Sequence, residues 1–163
     1  MTAAAQLLSV GPVLKVGPVR RGQRARLAEI LRATNAFRDE EIRVALELLD
    51  EGEPSYNFVG LYADHCLVGY ACYGATPGTD RTWDLYWIAV HPEFQGGGAG
   101  SRLLQEVERR LRGQRLLVIE TSSRTDYAAT RRFYERNQYA LASATPDFYA
   151  TGDDRLVYTK RLQ

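Results

Sequence analysis

The chain has 163 residues, of which 45% are hydrophobic and 25% are charged, and its formal net charge is +1. One domain of this length buries roughly two thirds of its unfolded surface, so it needs no disulfide or metal to fold. A net charge this close to zero provides no field that would attract nucleic acid or an anionic membrane. We therefore expect neither of them as a partner.

Few side chains are available for a metal site. The sequence contains two cysteines, Cys66 and Cys72, and two histidines, His65 and His91. A Cys/His zinc site would have to use all four, and their spacing is not that of a zinc motif. We predict no metal.

The first twelve residues are expected to form a ragged leader to a single domain over residues 1–163. The run is apolar in places, but it lacks an early basic region, and Gly11 and Pro12 interrupt it. No stretch approaches the length of a membrane span. The predicted compartment is the reducing cytoplasm.

The chain then shows strand and helix patterns in turn. Residues 13–19 predict an edge strand with prolines at its ends. Apolar residues at helical spacing predict helices over 20–33 and 39–50. From Tyr56 the hydrophobic period changes to two, which predicts an antiparallel meander of three strands. These strands cover 56–62, 67–75 and 82–90.

The stretch from Trp83 to Leu111 organises the rest of the chain. It begins as a strand, turns at His91 and Pro92, crosses a glycine cluster and continues as an amphipathic helix. Glycines let backbone N–H groups approach a ligand closely, and the start of the helix adds unsatisfied donors and the positive end of its dipole. Such a turn is typical of a phosphate-binding site.

The spacing of the glycines distinguishes between phosphate ligands. A lysine-bearing phosphate loop is excluded because no Lys follows any glycine. A dinucleotide fingerprint fits poorly because its last small residue would be Ser101 or Leu103. The pattern Q-x-x-G-x-G is present as Gln95, Gly98 and Gly100, after a strand that ends in V-H-P. This segment resembles the acetyl-CoA signature of the GNAT (GCN5-related) N-acetyltransferase family.

The resemblance implies a position for the coenzyme. In the family, the loop and the helix start hold the pyrophosphate of acetyl-CoA, and the preceding strand splays from its neighbour to admit the pantetheine arm. Backbone N–H groups near Ile88, Ala89 and Val90 are then the expected oxyanion donors, although these residues also fit an ordinary core strand. The residues expected to hold the coenzyme at the loop are Gln95, Gly96, Gly97, Gly98, Ala99, Gly100 and Ser101.

The remaining elements complete the fold. Residues 115–121 form a nearly all-apolar run, typical of a strand buried on both faces, and the helix before them implies parallel pairing with the 83–90 strand. A helix over 126–137 and strands over 139–149 and 155–161 follow. The predicted fold class is α/β (α+β), with a central, mixed, mostly antiparallel twisted sheet of about seven strands flanked by about four helices, as in the GNAT fold.

Glu120 is the predicted general base. It is a carboxylate within LLVIETSS, at the end of an otherwise apolar strand, where desolvation would favour proton uptake. The resemblance supports this role, because a Glu in a similar strand is implicated as the base in the branch of the family that includes ribosomal-protein N-terminal acetyltransferases. The alternative is that Glu120 lies at the solvated end of the strand and pairs with an arginine.

Tyr134 is the predicted general acid. It lies in RRFYERNQY, which resembles the family segment whose tyrosine protonates the sulfur of the coenzyme. A phenol is protonated at neutral pH and can give its proton to a departing thiolate. The alternative is core packing, because Tyr127, Thr130 and Tyr134 share one face of the helix.

Two features depart from the family pattern. Gln138 stands where the family has a glycine, so the helix is expected to use Asn137 as its left-handed cap or to end differently. The segment between Glu120 and Tyr134 also lacks the family's frequent Asn. The residues available to replace its contact with the coenzyme are Ser122, Ser123, Arg124 and Asp126.

Aromatic and acidic residues are expected to meet the acceptor. Tyr86 and Asp84 are candidates to bind an ammonium group through cation–π and charge contacts. Tyr149 lies in DFYATGDD, which loosely resembles the loop with which N-terminal acetyltransferases hold a peptide. An ordinary turn fits the same segment. An exposed first or last strand is compatible with a homodimer.

These observations favour an acetyl-CoA-dependent N-acetyltransferase. It would transfer acetyl directly, within a ternary complex, to a primary amine of a small molecule or of a peptide or protein. The alternative is a noncatalytic acyl-CoA-binding regulatory domain, against which the presence of both Glu120 and Tyr134 argues. A Rossmann-type nucleotide-binding domain is a third possibility, and the antiparallel meander before the glycine loop argues against it.

Overall fold

The structure is a computed structural model that describes residues 12–162. The predicted leader, apart from Pro12, and the last residue lie outside the described residues. The strands are β1 (Leu14–Gly17), β2 (Asn57–Ala63), β3 (Cys66–Ala75), β4 (Thr82–Val90), β5 (Leu116–Ser122), β6 (Ala140–Ala150) and β7 (Asp153–Arg161). The helices are α1 (Arg24–Ala33), α2 (Asp39–Glu51), α3 (Ala99–Arg110) and α4 (Ala128–Arg136).

The seven strands form one mixed sheet in the order β1-β2-β3-β4-β5-β7-β6. Every neighbouring pair is antiparallel except β4 and β5, which are parallel. Helix α3 makes the crossover between these two strands, as a parallel connection requires. The predicted fold class and the predicted parallel pair are therefore confirmed.

Helices cover both faces of the sheet. Along β3, Val68 packs in one apolar cluster and its neighbour Leu67 in the other, because successive side chains of a strand point to opposite faces. The first cluster contains Leu103 and Leu104 of α3, and the second contains Leu31 of α1. The sheet is thus buried between α3 and α4 on one side and α1 and α2 on the other.

The end of α4 follows the second of the two expected alternatives, because Asn137 is not its left-handed cap. Gln138, with a φ of +70°, takes the left-handed conformation, whereas the φ of Asn137 is −88°. The N–H of Gln138 donates to the carbonyl of Glu135, and the N–H of Tyr139 donates to that of Tyr134, both over 3.0 Å. This is a Schellman ending with a glutamine where glycine is usual.

The two edge strands are β1 and β6, and every residue of β6 is exposed. The pairing of β6 with β7 is interrupted between Thr145 and Ala150. Phe148 and Tyr149 therefore project from an irregular hairpin tip. The predicted homodimer stays a prediction.

Residues 12–162 contain neither a membrane-spanning helix nor a cluster of metal ligands. None of their helices has both the length and the apolar composition to cross a bilayer. Their His, Cys, Asp and Glu side chains form no group of three or more that is able to hold a metal ion.

Candidate active site

Strands β4 and β5 diverge next to the glycine turn. Their parallel register begins at Thr82 and Leu116 and ends at Leu85 and Ile119. Strand β4 continues to Val90 and β5 to Ser122 without pairing to each other. The backbone of Ile88–Val90 on this side is therefore free of a strand partner, which leaves a gap of the kind expected for an extended ligand arm.

A β-bulge marks the point of divergence. Cys72 pairs with Trp87 and Tyr73 pairs with Leu85, so Tyr86 is an extra residue in β4. Bulges bend a strand and re-aim its side chains. The bulge thus accounts locally for the departure of β4 from β5.

The glycine turn has the backbone that its sequence predicts. Gly96 and Gly98 have φ values of +83° and +81°, a region that favours glycine. A Cβ added at Gly96, Gly97 or Gly98 would meet no atom within 4 Å. All three glycines are exposed, so a ligand can approach their backbone directly.

The start of α3 presents unpaired donors to this turn. The first bond of the helix runs from the N–H of Arg102 to the carbonyl of Gly98, and no side chain caps the helix. The N–H groups of residues 98–101 therefore have no partner within the helix. Together with the positive end of the helix dipole they form an anion site.

Other residues of the predicted loop hold its shape. The side-chain amide of Gln95 donates to the carbonyl of Val90 over 2.8 Å, which ties the turn to the end of β4. The Ser101 hydroxyl accepts from the amide of Asn137 over 3.1 Å. A Cβ at Gly100 would lie 3.1 Å from the ring of Phe133. Gly100 therefore allows α3 to approach α4, a packing role that the sequence did not indicate.

Tyr134 lies inside a cluster of aromatic side chains. Its ring centroid is 6.2 Å from that of Tyr139 and 6.1 Å from that of Tyr158. Burial raises the pKa of its phenol, which keeps the group protonated. Among residues 12–162 its hydroxyl makes no hydrogen bond. The environment fits both packing and proton donation, so the role of general acid stays a prediction.

We expected Glu120 to be desolvated, and the structure shows that it is not. Its side chain is 43% exposed and forms an ion pair with Arg155 Nη2. It extends on the opposite side of β5 from the buried Ile119 and Thr121, because side chains alternate along a strand. This is the alternative environment that the sequence allowed, and the role of Glu120 as a base, directly or through water, stays a prediction.

Two of the three predicted acceptor residues lie near Arg155: Tyr149, which is also near Glu120, and Asp84. Burial raises the pKa of the Tyr149 phenol, and the nearby charge of Glu120 raises it further. Burial, together with the charge of Asp84, raises the pKa of Tyr86 to about 12. The carboxylate of Asp84 accepts from the Thr76 hydroxyl over 2.6 Å. Tyr86 packs edge-on against Tyr56.

The serines after β5 are engaged within the protein. The Ser122 hydroxyl donates to Asp153 and accepts from the backbone N–H of Arg124. The Ser123 hydroxyl accepts from the N–H of Asp154. These bonds tie the end of β5 to the start of β7, and they do not select the residue that replaces the family's Asn.

Arg155 is the site residue that sequence reasoning missed. The predicted β7 begins with it, but its partner Glu120 lies 35 positions earlier. No local pattern indicates such a contact. The available signal was the alternation of β7, which places Arg155 on the opposite face from Leu156 and Tyr158 of the core.

A mixed sheet that opens between two parallel strands, next to an anion-binding turn and a helix start, is the arrangement expected of an acyltransferase that uses an acyl-coenzyme A donor. The profile of the Acetyltransferase (GNAT) family matches residues 24–139. The chain belongs to this family, and its recognition from the glycine turn is confirmed.

Similar solved structures agree with this assignment. A GNAT-family protein from Desulfovibrio desulfuricans is 40% identical with a TM-score of 0.89, and the match covers 93% of this chain and 100% of that one. The ribosomal-protein-S18-alanine N-acetyltransferase from Escherichia coli is 20% identical with a TM-score of 0.77, covering 93% and 95%. YncA from Salmonella typhimurium, in a structure with acetyl-CoA, is 20% identical with a TM-score of 0.72, covering 92% and 94%. A comparison with curated proteins gave no significant match.

Proposed function

We propose that this protein is an acetyl-CoA-dependent N-acetyltransferase that transfers acetyl directly to a primary amine of a small molecule or of a peptide or protein. The observation that carries the proposal is the opening between β4 and β5 beside the glycine turn. It offers a phosphate site at one end and unpaired strand backbone at the other. The cytoplasm, where we place the reaction, is an expectation from the sequence.

The residues divide the chemistry between them. The N–H groups of residues 98–101 bind the pyrophosphate, and backbone N–H groups near Ile88–Val90 stabilise negative charge on the thioester oxygen. Glu120 takes the proton that the amine loses as its nitrogen bonds to the acetyl carbon. Tyr134 gives its proton to the sulfur as the carbon–sulfur bond breaks. The products are the N-acetyl amine and the free thiol of coenzyme A.

The similar structures support the proposed reaction. The Salmonella structure contains acetyl-CoA, and the Escherichia coli protein is an alanine N-acetyltransferase. Both share the fold of this chain over nine tenths of its length. A primary amine is the acceptor common to such reactions, and the carboxylates of Asp84 near Tyr86 and Glu120 near Tyr149 suit an ammonium ion.

The test is calorimetric titration of the purified protein with acetyl-CoA, followed by an assay of thiol release against a panel of primary amines and N-terminal peptides. Saturable binding and amine-dependent thiol release are expected. Thiol release without an amine serves as the control for hydrolysis. Binding without release from any acceptor would favour the noncatalytic regulatory domain, and absence of binding would contradict the coenzyme site.

A further inference from the structure

We propose that Arg155 selects acceptors in which a carbonyl or carboxylate oxygen lies next to the reactive amine, as in an α-amino acid or the N-terminus of a peptide. This inference rests on the proposed function, because it concerns the acceptor side of the same site. It is carried by the hydrogen-bonding capacity of Arg155 and by its position beside Glu120.

Arg155 has donors that the protein does not use. A guanidinium group carries five N–H donors, and within residues 12–162 only Nη2 makes a hydrogen bond, to Glu120. Nε is fully buried without a partner, while 32% of the side chain is exposed. Nη1 also makes no hydrogen bond among these residues, and it is not buried. It therefore remains available to an oxygen acceptor on a bound ligand.

A second unused donor lies on the same side of the sheet. The indole N–H of Trp87 is buried without a partner, and Trp87 packs with α1 and α2. Arg155 faces this side because its neighbour Leu156 packs into the opposite cluster. Trp87 and Arg155 therefore lie on the same face of the sheet, the face that α1 and α2 cover.

The charges around Arg155 also favour an acceptor with an oxygen next to its amine. Arg155 is positive, and its charge is near those of Glu120 and Asp84. An acceptor that carries only an ammonium group is attracted by Glu120 and Asp84 but repelled by Arg155. An acceptor with an oxygen next to the amine places the ammonium group near a carboxylate and the oxygen near the guanidinium group, so both contacts are favourable.

The hairpin tip fixes the guanidinium group in place. The ring centroid of Phe148 lies 5.1 Å from its central carbon, a cation–π contact. Phe148 in turn packs edge-on against Tyr149, with 5.0 Å between centroids. Both aromatic rings are about half exposed. They hold Arg155 and offer apolar surface to the substituent of the acceptor.

The test compares three matched acceptors: alanine, alaninamide and ethylamine. Alanine has a carboxylate beside the amine, alaninamide has a carbonyl, and ethylamine has neither. For each enzyme, the ratio of kcat/KM values between two acceptors is measured, and the wild-type ratio is compared with that of the variant. The acceptors differ in basicity, but this difference is the same for both enzymes and cancels in the comparison. We expect Arg155→Gln to lower the preference for the oxygen-bearing acceptors about tenfold or more, the range of a lost charge-assisted hydrogen bond.

Two further variants control the experiment. Arg155→Lys keeps the charge but loses the planar fork of donors, and we expect it to recover only part of the preference. Arg161→Gln removes an exposed arginine at the far end of the same strand, and we expect wild-type ratios. If Arg155→Gln does not fold, as judged by thermal unfolding, the lysine variant provides the comparison with wild type.

The outcomes distinguish the two kinds of acceptor, and they distinguish this inference from the proposed function. If Arg155→Gln loses more of its preference for alanine, the acceptors are free amino acids. If it loses more of its preference for alaninamide, the acceptor is a peptide N-terminus. Unchanged ratios in a folded Arg155 variant, or thiol release only with amines that lack the oxygen, overturn this inference and leave the proposed function intact. Absence of thiol release with any primary amine overturns both.

Discussion

The N–H of Arg102 donates to the carbonyl oxygen of Gly98 over 2.9 Å, and this first bond of α3 leaves the N–H groups of residues 98–101 free. We predict that Gly98→Glu abolishes the binding of acetyl-CoA, because a carboxylate beside these donors repels the pyrophosphate. The left-handed φ of Gly98 also disfavours the new side chain. Calorimetric titration measures the change.

Gly98→Asn is the matched control. Asparagine tolerates the left-handed region and carries no charge, and a Cβ at this position meets no atom within 4 Å. We expect it to bind far more tightly than the glutamate variant, with nearly unchanged stability. Equal affinity of Gly98→Glu and wild type would contradict the proposed phosphate site.

Tyr134→Phe is predicted to slow turnover while acetyl-CoA still binds. The substitution removes one hydroxyl from a buried ring and keeps the packing against Tyr139 and Tyr158. Loss of a general acid lowers kcat by roughly a hundredfold or more. Steady-state kinetics with an accepted amine, together with calorimetry, separate the two effects.

Tyr158→Phe is the control for that measurement. Tyr158 belongs to the same aromatic cluster, but its hydroxyl bonds to Glu135 over 3.1 Å. We expect its kcat to stay near wild type. If Tyr134→Phe retained wild-type rates at every pH tested, Tyr134 would be a packing residue only.

The fold and the glycine turn were predictable because their signals are local. The change from helical to alternating period identified the meander, and the crossover helix fixed the parallel pairing of β4 with β5. The positive φ values of Gly96 and Gly98 also follow from the residue type.

The surroundings of Glu120 were not predictable in the same way. They depend on the register of β5 with β7, in which Glu120 is opposite Val157 and Ser122 is opposite Arg155. This register joins residues about 35 positions apart, and strand propensity does not specify it. The local sequence indicated an apolar environment, whereas the neighbouring strand supplies a cation.

Glu106 is predicted to make stability depend on pH in the acid range. It is only 8% exposed and accepts hydrogen bonds from Arg109 and Arg110, each over 2.8 Å. These bonds lower the pKa of its carboxyl from 4.5 to about 2. Because the folded pKa is the lower one, this stabilisation is complete above about pH 4.5 and is lost as the pH falls toward 2.

Chemical denaturation at several pH values measures this contribution. We expect Glu106 to contribute about 2 kcal/mol to the free energy of unfolding at neutral pH. This is less than its lowered pKa alone implies, because solvent screens the charge of the exposed Arg109. Glu106→Gln should lower the free energy of unfolding at pH 7 and reduce its dependence on pH between 4.5 and 2. A pH dependence identical to that of wild type would show that Glu106 is not the group responsible.

Gln138→Gly is predicted to stabilise the protein by about 1 kcal/mol, because a left-handed conformation costs a residue with a Cβ roughly that amount. Glycine keeps the backbone bonds from residue 138 to Glu135 and from Tyr139 to Tyr134. Asparagine is commoner than glutamine in the left-handed position after a helix, but Asn137 does not occupy that position. The side-chain amide of Asn137 donates to Ser101 and Phe133, and its carbonyl accepts from Lys160. Gln138→Ala is the control, since alanine has the same backbone cost and should give no gain. Equal urea midpoints for the glycine and alanine variants, at unchanged slope, would show that the φ of +70° stores no strain.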